Sequence, residues 1–333
     1  MKWISPFFAI AAIQLVSVLA APANQIVKRT STSESASVGY ATLNGGTTGG
    51  TGGTTTTVTT LAALTSAVSG DSAKIVIISV LTPSLGTITG NTVVKVGSNT
   101  SVLGASGSLL SGVGLRVLEE SNVIIRNVKI QKVLADAGDA IGIQESHNVW
   151  VDHVDLSSDL DHDKVCSSNY DGLLDITHGS YGITVTNSKL YNHWKASLVG
   201  HSDSNGSEDV ALRVTFALNW WQNLNSRGPS FRFGTSQGHI FNNYYVDLND
   251  GINTRDEAQL LIENNVFTGT TDAIYSTDGG YAVASGNDFG DDGENTAPTG
   301  TIFASSLGYS YTLLATSKVA SSVQSNAGQT LSF

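Results

Sequence analysis

The sequence contains few of the residues that would cross-link the chain or charge it strongly. Of its 333 residues, one is cysteine, five are proline and 14% are charged. The single cysteine, Cys166, excludes an internal disulfide. The low charge content excludes disorder driven by charge repulsion. Glycine is abundant at 35 residues, but the absence of a Gly-X-Y period excludes collagen. Packing and hydrogen bonds must therefore stabilise the fold.

Residues 1–20 have the pattern of a secretory signal peptide. Lys2 provides the charged start, residues 7–19 are mostly apolar, and residues 18–20 (Val-Leu-Ala) form a small-x-small cleavage site. A membrane helix is the alternative, but a span needs about 20 continuous apolar residues. Residues 21–29 end in a Lys-Arg pair and are either a propeptide or a plain linker. We expect a secreted, extracellular protein whose domain spans residues 30–333.

The charge balance argues against some partners. Removing residues 1–29 takes away three basic residues and no acidic one, which moves the formal net charge from −11 to −14. Nucleic-acid binding depends on basic patches, so we expect no nucleic-acid partner. No later stretch is long and apolar enough to cross a membrane, so we expect no membrane partner. We also expect a monomer. Asn99 and Asn205 begin candidate glycosylation motifs, consistent with secretion.

The N-terminal part of the expected domain combines a low-complexity segment with a short helix. Residues 45–57 are glycine and threonine only, which suits either a flexible linker or an ordered segment lying over a core. Leu61, Leu64 and Val68 then recur at helical spacing, with a threonine before them and Gly70 after them. A short capping helix is predicted.

Most of the remaining chain consists of short β-branched runs. They are KIVIISV (74–80), NTVVKV (91–96), NVIIRNVKI (122–130), NVWVDHVDL (148–156), GITVTNSKL (182–190), LRVTFALNWW (212–221), GHIFNNYYV (238–246), QLLIENNVF (259–267) and YAVASGNDF (281–289). The last seven begin 21 to 34 residues apart, which is a degenerate internal repeat. Repeats of this length indicate solenoids, propellers or arrays.

Several of these runs contain asparagine between two short strands. Asparagine tolerates left-handed turn geometry and stacks its amide from one coil to the next. This pattern favours an all-β fold, a right-handed parallel β-helix with a short N-terminal capping helix. A β-sandwich is the alternative.

Two groups of charged residues stand out in the longer repeat units. Asp139, Asp171 and Asp175 form an acidic group, and crowded carboxylates repel each other unless a cation joins them or one takes a proton. Calcium suits such oxygen ligands, although acids solvated in loops are the alternative. Lys195 is followed by an Arg-Gly-Pro-Ser-Phe-Arg segment, residues 227–232. The acids and bases together suggest a polyanionic, carboxylate-bearing substrate.

The order of these motifs resembles the pectate lyases of polysaccharide lyase family one, particularly the secreted fungal enzymes. The resemblance is carried by the runs NVWVDHVDL, YDGLLDIT, NHWKASLVGHSDS, RGPSFRFG and GHIFNNYY and covers about residues 39–289. It implies a parallel β-helix and calcium-dependent β-elimination of polygalacturonate or pectin.

The resemblance also implies roles for individual residues. Asp139, Asp171 and Asp175 would be Ca²⁺ ligands, Lys195 and Arg232 would bind substrate carboxylates, and Arg227 would be the catalytic base. The segment Trp150-Val-Asp152-His153 is the family's signature, which we interpret as a buried polar network away from the cleft. His178 and His201 are interpreted as structural hydrogen-bonding groups.

The sequence departs from the family at two places. Some relatives carry another acid two residues before the first calcium ligand, where this chain has Ala137 with Asp136 beside it. The loop 159–169, which contains Cys166, is also unusual.

Three other functions compete with the pectate lyase hypothesis. A polygalacturonase would use carboxylates as acid and base, but its Asp-Asp, His-Gly and Arg-x-Lys segments are not found in order. A pectin lyase would have replaced the three acids. A noncatalytic β-solenoid that binds wall polysaccharide would leave the conspicuous basic residues unexplained.

Overall fold

The computed structural model describes residue 1 and residues 30–79, 86–160, 169–233 and 237–333. The expected signal peptide after Met1, the candidate propeptide and Cys166 lie outside these ranges. Within the described residues, no helix is long and apolar enough to cross a membrane.

Strands dominate the described residues. In chain order they are β1 (Thr54–Val58), β2 (Lys74–Ile78), β3 (Thr87–Lys95), β4 (Thr100–Gly104), β5 (Leu109–Leu118), β6 (Ser121–Arg126), β7 (Lys129–Gln131), β8 (Ile141–Gln144), β9 (His147–Asp152), β10 (Asp155–Ser157), β11 (Leu174–Thr177), β12 (Tyr181–Thr186), β13 (Lys189–Lys195), β14 (Leu198–Val199), β15 (Arg213–Ala217), β16 (Trp220–Ser226), β17 (Ser230–Arg232), β18 (Gln237–Phe241), β19 (Tyr244–Leu248), β20 (Asp250–Arg255), β21 (Gln259–Glu263), β22 (Val266–Thr268), β23 (Asp272–Thr277) and β24 (Tyr281–Ser285). The helices are α1 (Leu61–Ala67), α2 (Gly206–Asp209) and α3 (Thr316–Asn326), with 3-10 turns at Tyr40–Thr42, Ala135–Ala137 and Ala304–Ser306.

The strands wind into a parallel solenoid with three faces, so the predicted parallel β-helix is confirmed. One face is a ten-stranded sheet that runs from β1 through β9 and β12 to β24. The other two faces belong to one 14-stranded sheet whose halves meet at the long strand β5. One half carries β7, β10, β13, β16, β19 and β22, and the other carries β8, β11, β14, β17, β20 and β23. We call this last half the site face.

The bends between strands explain the asparagines in the repeats. Asn187, Asn242 and Asn264 have φ values of 46°, 53° and 49°, the left-handed geometry that asparagine tolerates. A buried amide ladder runs beside them, in which the Nδ2 atom of each asparagine donates to the Oδ1 atom of the next, over 3.0, 2.9 and 3.0 Å. Its members are Asn219, Asn243, Asn265 and Asn287. The ladder satisfies polar groups between the coils and fixes their register.

The interior of the solenoid is filled by aliphatic side chains and one aromatic stack. Trp221, Tyr245, Phe267 and Phe289 stack from coil to coil with ring centroids 5.8, 4.5 and 5.7 Å apart. Such offset stacks add to the stabilisation that burial provides. The stack thereby holds β16, β19 and β22, in the half of the sheet next to the site face, in fixed register.

The N-terminal segment is ordered, which decides between the two alternatives for residues 45–57. The N–H groups of Thr48 and Gly49 donate to Asn122 Oδ1 over 2.7 and 2.8 Å, and residues 54–58 form β1 against β2. Helix α1 begins at the Thr60 cap, whose hydroxyl accepts the Ala63 N–H over 3.2 Å, and ends at Ala67, before the expected Gly70.

Candidate active site

Two of the three candidate calcium ligands, Asp139 and Asp175, lie on neighbouring coils of the site face. Asp139 precedes β8, Asp175 lies in β11, and the register pairs Asp175 with Gly142. Asp139 Oδ1 accepts the Gly172 N–H over 3.0 Å, and Asp175 Oδ1 accepts the Leu198 N–H over 2.9 Å. Both aspartates are over 90% buried, at 7% and 9% exposure. The coil register therefore brings together two carboxylates that are 36 residues apart in sequence.

The raised pKa values of these two carboxyl groups indicate that the positive charge near them is too small to offset their burial. Burial, together with the charges of Asp175 and Asp171, holds the pKa of Asp139 well above its usual value. Burial raises the pKa of Asp175 to about 6, against the opposing effect of Arg227. Arg116 provides some countercharge, with its Nη2 atom 3.8 Å from Asp139 Oδ2.

Asp171 is placed differently from the other two acids. It precedes β11 with a 43% exposed side chain, and its Oδ1 atom lies 2.9 Å from the Nζ atom of Lys195. The buried His193 donates through Nε2 to the Asp171 carbonyl and so holds its backbone. For Asp171 to share a cation with the other acids, its carboxylate must also give up or share Lys195.

Two glycines lie directly against the acidic group. A Cβ atom at Gly172 would lie 2.4 Å from Asp175 Oδ1, and a Cβ atom at Gly142 would lie 3.2 Å from Asp139 Oδ2. Any larger residue at Gly172 would collide with the Asp175 carboxylate. Glycine at this position therefore lets the Asp175 carboxylate lie where it does, and carboxylate oxygens are the ligand type that a hard cation such as Ca²⁺ prefers.

A tighter group of potential ligands lies elsewhere. Among the described residues, only Glu145, His178 and Glu208 bring three such atoms within 4.8 Å of one another. Glu208 already accepts hydrogen bonds from His178 and from the Asn205 amide, and the His178 ring lies 4.2 Å from the tilted ring of His201. Hydrogen bonding therefore accounts for the pairing of His178 with Glu208, while the role expected for His201 stays a prediction.

The basic residues approach the acids from the next coils. Lys195 ends β13 and pairs in register with Ser226, so Arg227 follows one coil further on. The carbonyl of Arg227 accepts the Ser197 N–H over 2.9 Å, and its charge acts on Asp175. Lys195 and Arg227 are half-buried, so their side chains combine limited solvation with access to a ligand.

Arg232 is held more tightly than a simple substrate contact requires. Its Nε atom lies 3.1 Å from Asp203 Oδ1, and its Nη1 atom donates to the carbonyls of Gly200 and His201 over 3.2 and 3.1 Å. Burial and the neighbouring Arg255 lower the pKa of Arg232. The structure therefore gives Arg232 a structural role in addition to any contact with a ligand.

Several residues of this face were not predicted from the sequence. A cavity of about 300 Å³ beside Arg227 is lined by Asn253, Arg255, Tyr275 and others. Arg255 pairs in register with Arg232, 23 residues earlier. The coil spacing could have revealed Arg255, because residues about one repeat apart stack on the same face.

Asp136, the neighbour of Ala137, is exposed in a 3-10 turn.

The signature segment lies on the ten-stranded sheet, away from the site face. Asp152 is 1% exposed and accepts hydrogen bonds from Arg126 Nε and His153 Nδ1, each over 2.6 Å. The indole N–H of Trp150 donates to Thr186 Oγ1 over 2.8 Å. The interpretation of this segment as a buried polar network agrees with these contacts.

Comparisons with known proteins give one consistent answer. A family model described as pectate lyase matches residues 10–332. Pectate lyase A of Aspergillus niger is 56% identical over 336 residues, covering 100% of this chain and 99% of the relative. Pectate lyase A of Emericella nidulans is also 56% identical, covering 98% of both chains. The crystal structure of a Bacillus sp. N165 pectate lyase in complex with trigalacturonate superposes with a TM-score of 0.77 at 31% identity, covering 89% of this chain and 99% of that one.

Proposed function

The chain belongs to the pectate lyase family, and we propose that it cleaves polygalacturonate by calcium-dependent β-elimination, leaving oligogalacturonides with 4,5-unsaturated ends. The observation that carries this proposal is the convergence of Asp139, Asp175, Lys195 and Arg227 on adjacent coils, on the site face and at the ends of the strands that lead into it. The trigalacturonate bound by the Bacillus relative supports a galacturonate polymer as substrate.

The similarity to pectate lyases, together with the site, argues against each of the competing functions. A pectin lyase lacking the acidic group is disfavoured, since Asp139 and Asp175 lie together and their pKa values are raised. A binding module would not need a cationic residue beside buried acids. A polygalacturonase disagrees with both the relatives and the missing segments.

Asp139, Asp175 and Asp171 are the residues that would hold Ca²⁺. Their oxygens are the ligand type that calcium prefers, and Asp139 and Asp175 are brought onto neighbouring coils by the register of β8 and β11. Calcium bound there would neutralise a uronate carboxylate and stabilise the charge that develops next to it. Asp139 and Asp175 must be ionised to bind calcium. Their raised pKa values mean that ionising both carboxyl groups costs free energy when no cation is bound.

The basic residues would orient the substrate and move its proton. Lys195 would pair with a uronate carboxylate once its contact with Asp171 is shared, and Arg232 would contribute positive charge from its buried position. Arg227 would take the proton from C5. The C5–H electron pair then forms the C4–C5 double bond, the C4–O bond breaks, and the leaving oxygen takes a proton from solvent. No water is consumed.

We also propose that the protein is secreted as a monomer. The signal-peptide pattern of residues 1–20 and the acidic remainder of the chain support export to a cell-wall substrate.

The product of the reaction tests the proposal. Purified protein is incubated with polygalacturonate, and both ultraviolet absorbance of unsaturated ends and total reducing ends are measured, with heat-denatured protein as control. We expect both signals to rise together, to stop on addition of a chelator and to return with excess calcium. Reducing ends without absorbance would indicate a hydrolase, and polymer binding without cleavage would indicate a binding module.

A further inference from the structure

The backbone at Arg227 adopts a conformation that its surroundings must hold. Its φ angle is +64°, in the left-handed region that residues other than glycine, asparagine and aspartate seldom adopt. Such a conformation persists only when neighbouring contacts determine it. The direction in which the guanidinium leaves the chain depends on this bend.

The contacts that hold the bend come from both neighbouring coils. On one side, the Ser197 N–H donates to the Arg227 carbonyl over 2.9 Å. On the other side, the Arg227 N–H donates to Asp250 Oδ1 over 3.1 Å, and the next N–H, of Gly228, donates to the Gly251 carbonyl over 2.9 Å. Of these three contacts, only the one with Asp250 involves a side chain, and the other two join main-chain groups.

Asp250 is itself oriented by its environment. It begins β20, is half-buried, and its carboxyl also interacts with the Tyr275 phenol from the next coil. Burial raises the pKa of Asp250 to about 6, and the hydrogen bond from Arg227 opposes that effect. The Asp250 carboxyl therefore has a fixed orientation, in which it accepts the hydrogen bond from the Arg227 N–H group.

We propose that Asp250 is a positioning residue: by accepting the Arg227 N–H, it fixes the left-handed bend from which the Arg227 guanidinium reaches the substrate. The inference rests on the role proposed above for Arg227. Asp250 acts through the backbone of Arg227, so it is expected to affect turnover more than binding. A displacement of about 1 Å of a reacting group lowers rates about 100-fold.

The test compares substitutions that remove, keep or shift the acceptor oxygen. Asp250→Ala removes it and is expected to lower kcat by about 10- to 100-fold, with KM and calcium affinity within about threefold of the parent. Asp250→Asn keeps an oxygen at the same position and is expected to keep kcat within about threefold. Asp250→Glu keeps the charge but moves the oxygen, so kcat should fall.

Asp272→Ala is the matched control, because Asp272 pairs in register with Asp250 one coil further on but is exposed. It should retain the parent kcat. Unfolding curves for each variant show that the kinetics refer to folded protein. If Asp250→Ala does not fold, the Asn and Glu variants carry the comparison.

Three outcomes would overturn the inference: parent-like kcat in Asp250→Ala or Asp250→Glu, equal loss in Asp250→Asn and Asp250→Ala, or equal loss in Asp272→Ala. Arg227→Ala, measured alongside, separates the two levels of the proposal. If Arg227→Ala keeps its kcat, the base assignment fails. If Arg227→Ala is inactive while Asp250→Ala is fully active, only the positioning role fails.

Discussion

The substitution Asp152→Asn tests whether the signature segment serves the fold rather than the reaction. The two Asp152 oxygens accept four hydrogen bonds over 2.6 to 3.0 Å, from Arg126, His153, Thr186 and Asn187. An asparagine has the same shape but offers one acceptor oxygen and a nitrogen that only donates. Arg126 and His153 share Oδ2, and Thr186 and Asn187 share Oδ1, so either orientation of the amide makes one of these two pairs face a donor in place of an acceptor.

The structure sets the size of the expected effect. Removing one partner of a buried ion pair costs about 3–5 kcal/mol. Arg126 keeps Glu34 as a second partner, with Nη1 2.7 Å from Oε2, so we expect about 3 kcal/mol, the lower end of that range. Total stabilities are about 5–15 kcal/mol, so the variant should still fold.

The pH dependence of this effect follows from the Asp152 carboxyl. Burial alone would raise its pKa, but the hydrogen bond from His153 and the charges of His153 and Arg126 lower it overall. A lowered carboxyl pKa stabilises the fold above the unfolded-state value, about 3.9, and this stabilisation is lost as the pH falls through the folded-state value. The stability difference between parent and variant should therefore be largest near pH 7 and shrink below about pH 4.

Urea unfolding at pH 7 and pH 3.5, with kcat measured on polygalacturonate well below the melting temperature, checks both points. Asp155→Asn is the control, since Asp155 is also paired, with Tyr191 over 3.0 Å and Lys129 over 3.6 Å, but is more exposed. It should cost less than about 1 kcal/mol. Unchanged stability in Asp152→Asn, or a 100-fold loss of kcat in its folded form, would refute the reasoning.

Three further predictions concern the acidic group and the substrate. Asp175→Asn should abolish most turnover at saturating substrate and weaken calcium binding measured by calorimetry; full activity would remove Asp175 from the site. Gly172→Ala places a Cβ atom 2.4 Å from Asp175 Oδ1 and should lower calcium affinity at least tenfold. Gly107→Ala strains the backbone, since its φ is +81°, but its Cβ atom meets nothing within 4 Å, so it should leave calcium affinity unchanged. Heavily methylated pectin should be cleaved more slowly than polygalacturonate, because Lys195 and Arg232 favour free carboxylates; a reversed preference in initial rates would indicate a pectin lyase.

The repeat and its asparagines were readable from the sequence, because each is a local feature. Residues such as Asn187 and Asn264 lie between two short strands within one run of the chain, and the predicted runs correspond to pairs of strands such as β12 and β13. The strands of the site face were missed. β14 has two residues and β17 has three, too few for alternation to be visible, while β20 and β23 have six each but consist largely of polar residues.

The missed strands are those of the site face, which is why the candidate residues could be named but not arranged. The resemblance singled out Asp139 and Asp175, but only the register of β8 and β11 brings them together. The pairing of Asp171 with Lys195 depends on side-chain conformation and has no local signal. Arg116 and Asp250 were missed because each acts on a residue about one coil away in the chain.

The central claim is that Arg227 removes the C5 proton, and the separation of kcat from KM in its variants tests this most directly. An ordinary guanidinium is almost fully charged at neutral pH, so a role in binding alone is the physical alternative. If Arg227 is the base, Arg227→Ala and Arg227→Lys should fold and bind calcium and oligogalacturonate, yet lose roughly 10²- to 10⁴-fold in kcat for unsaturated product. If either variant keeps kcat within about tenfold of the parent while KM rises, Arg227 is a binding residue and the claim is contradicted.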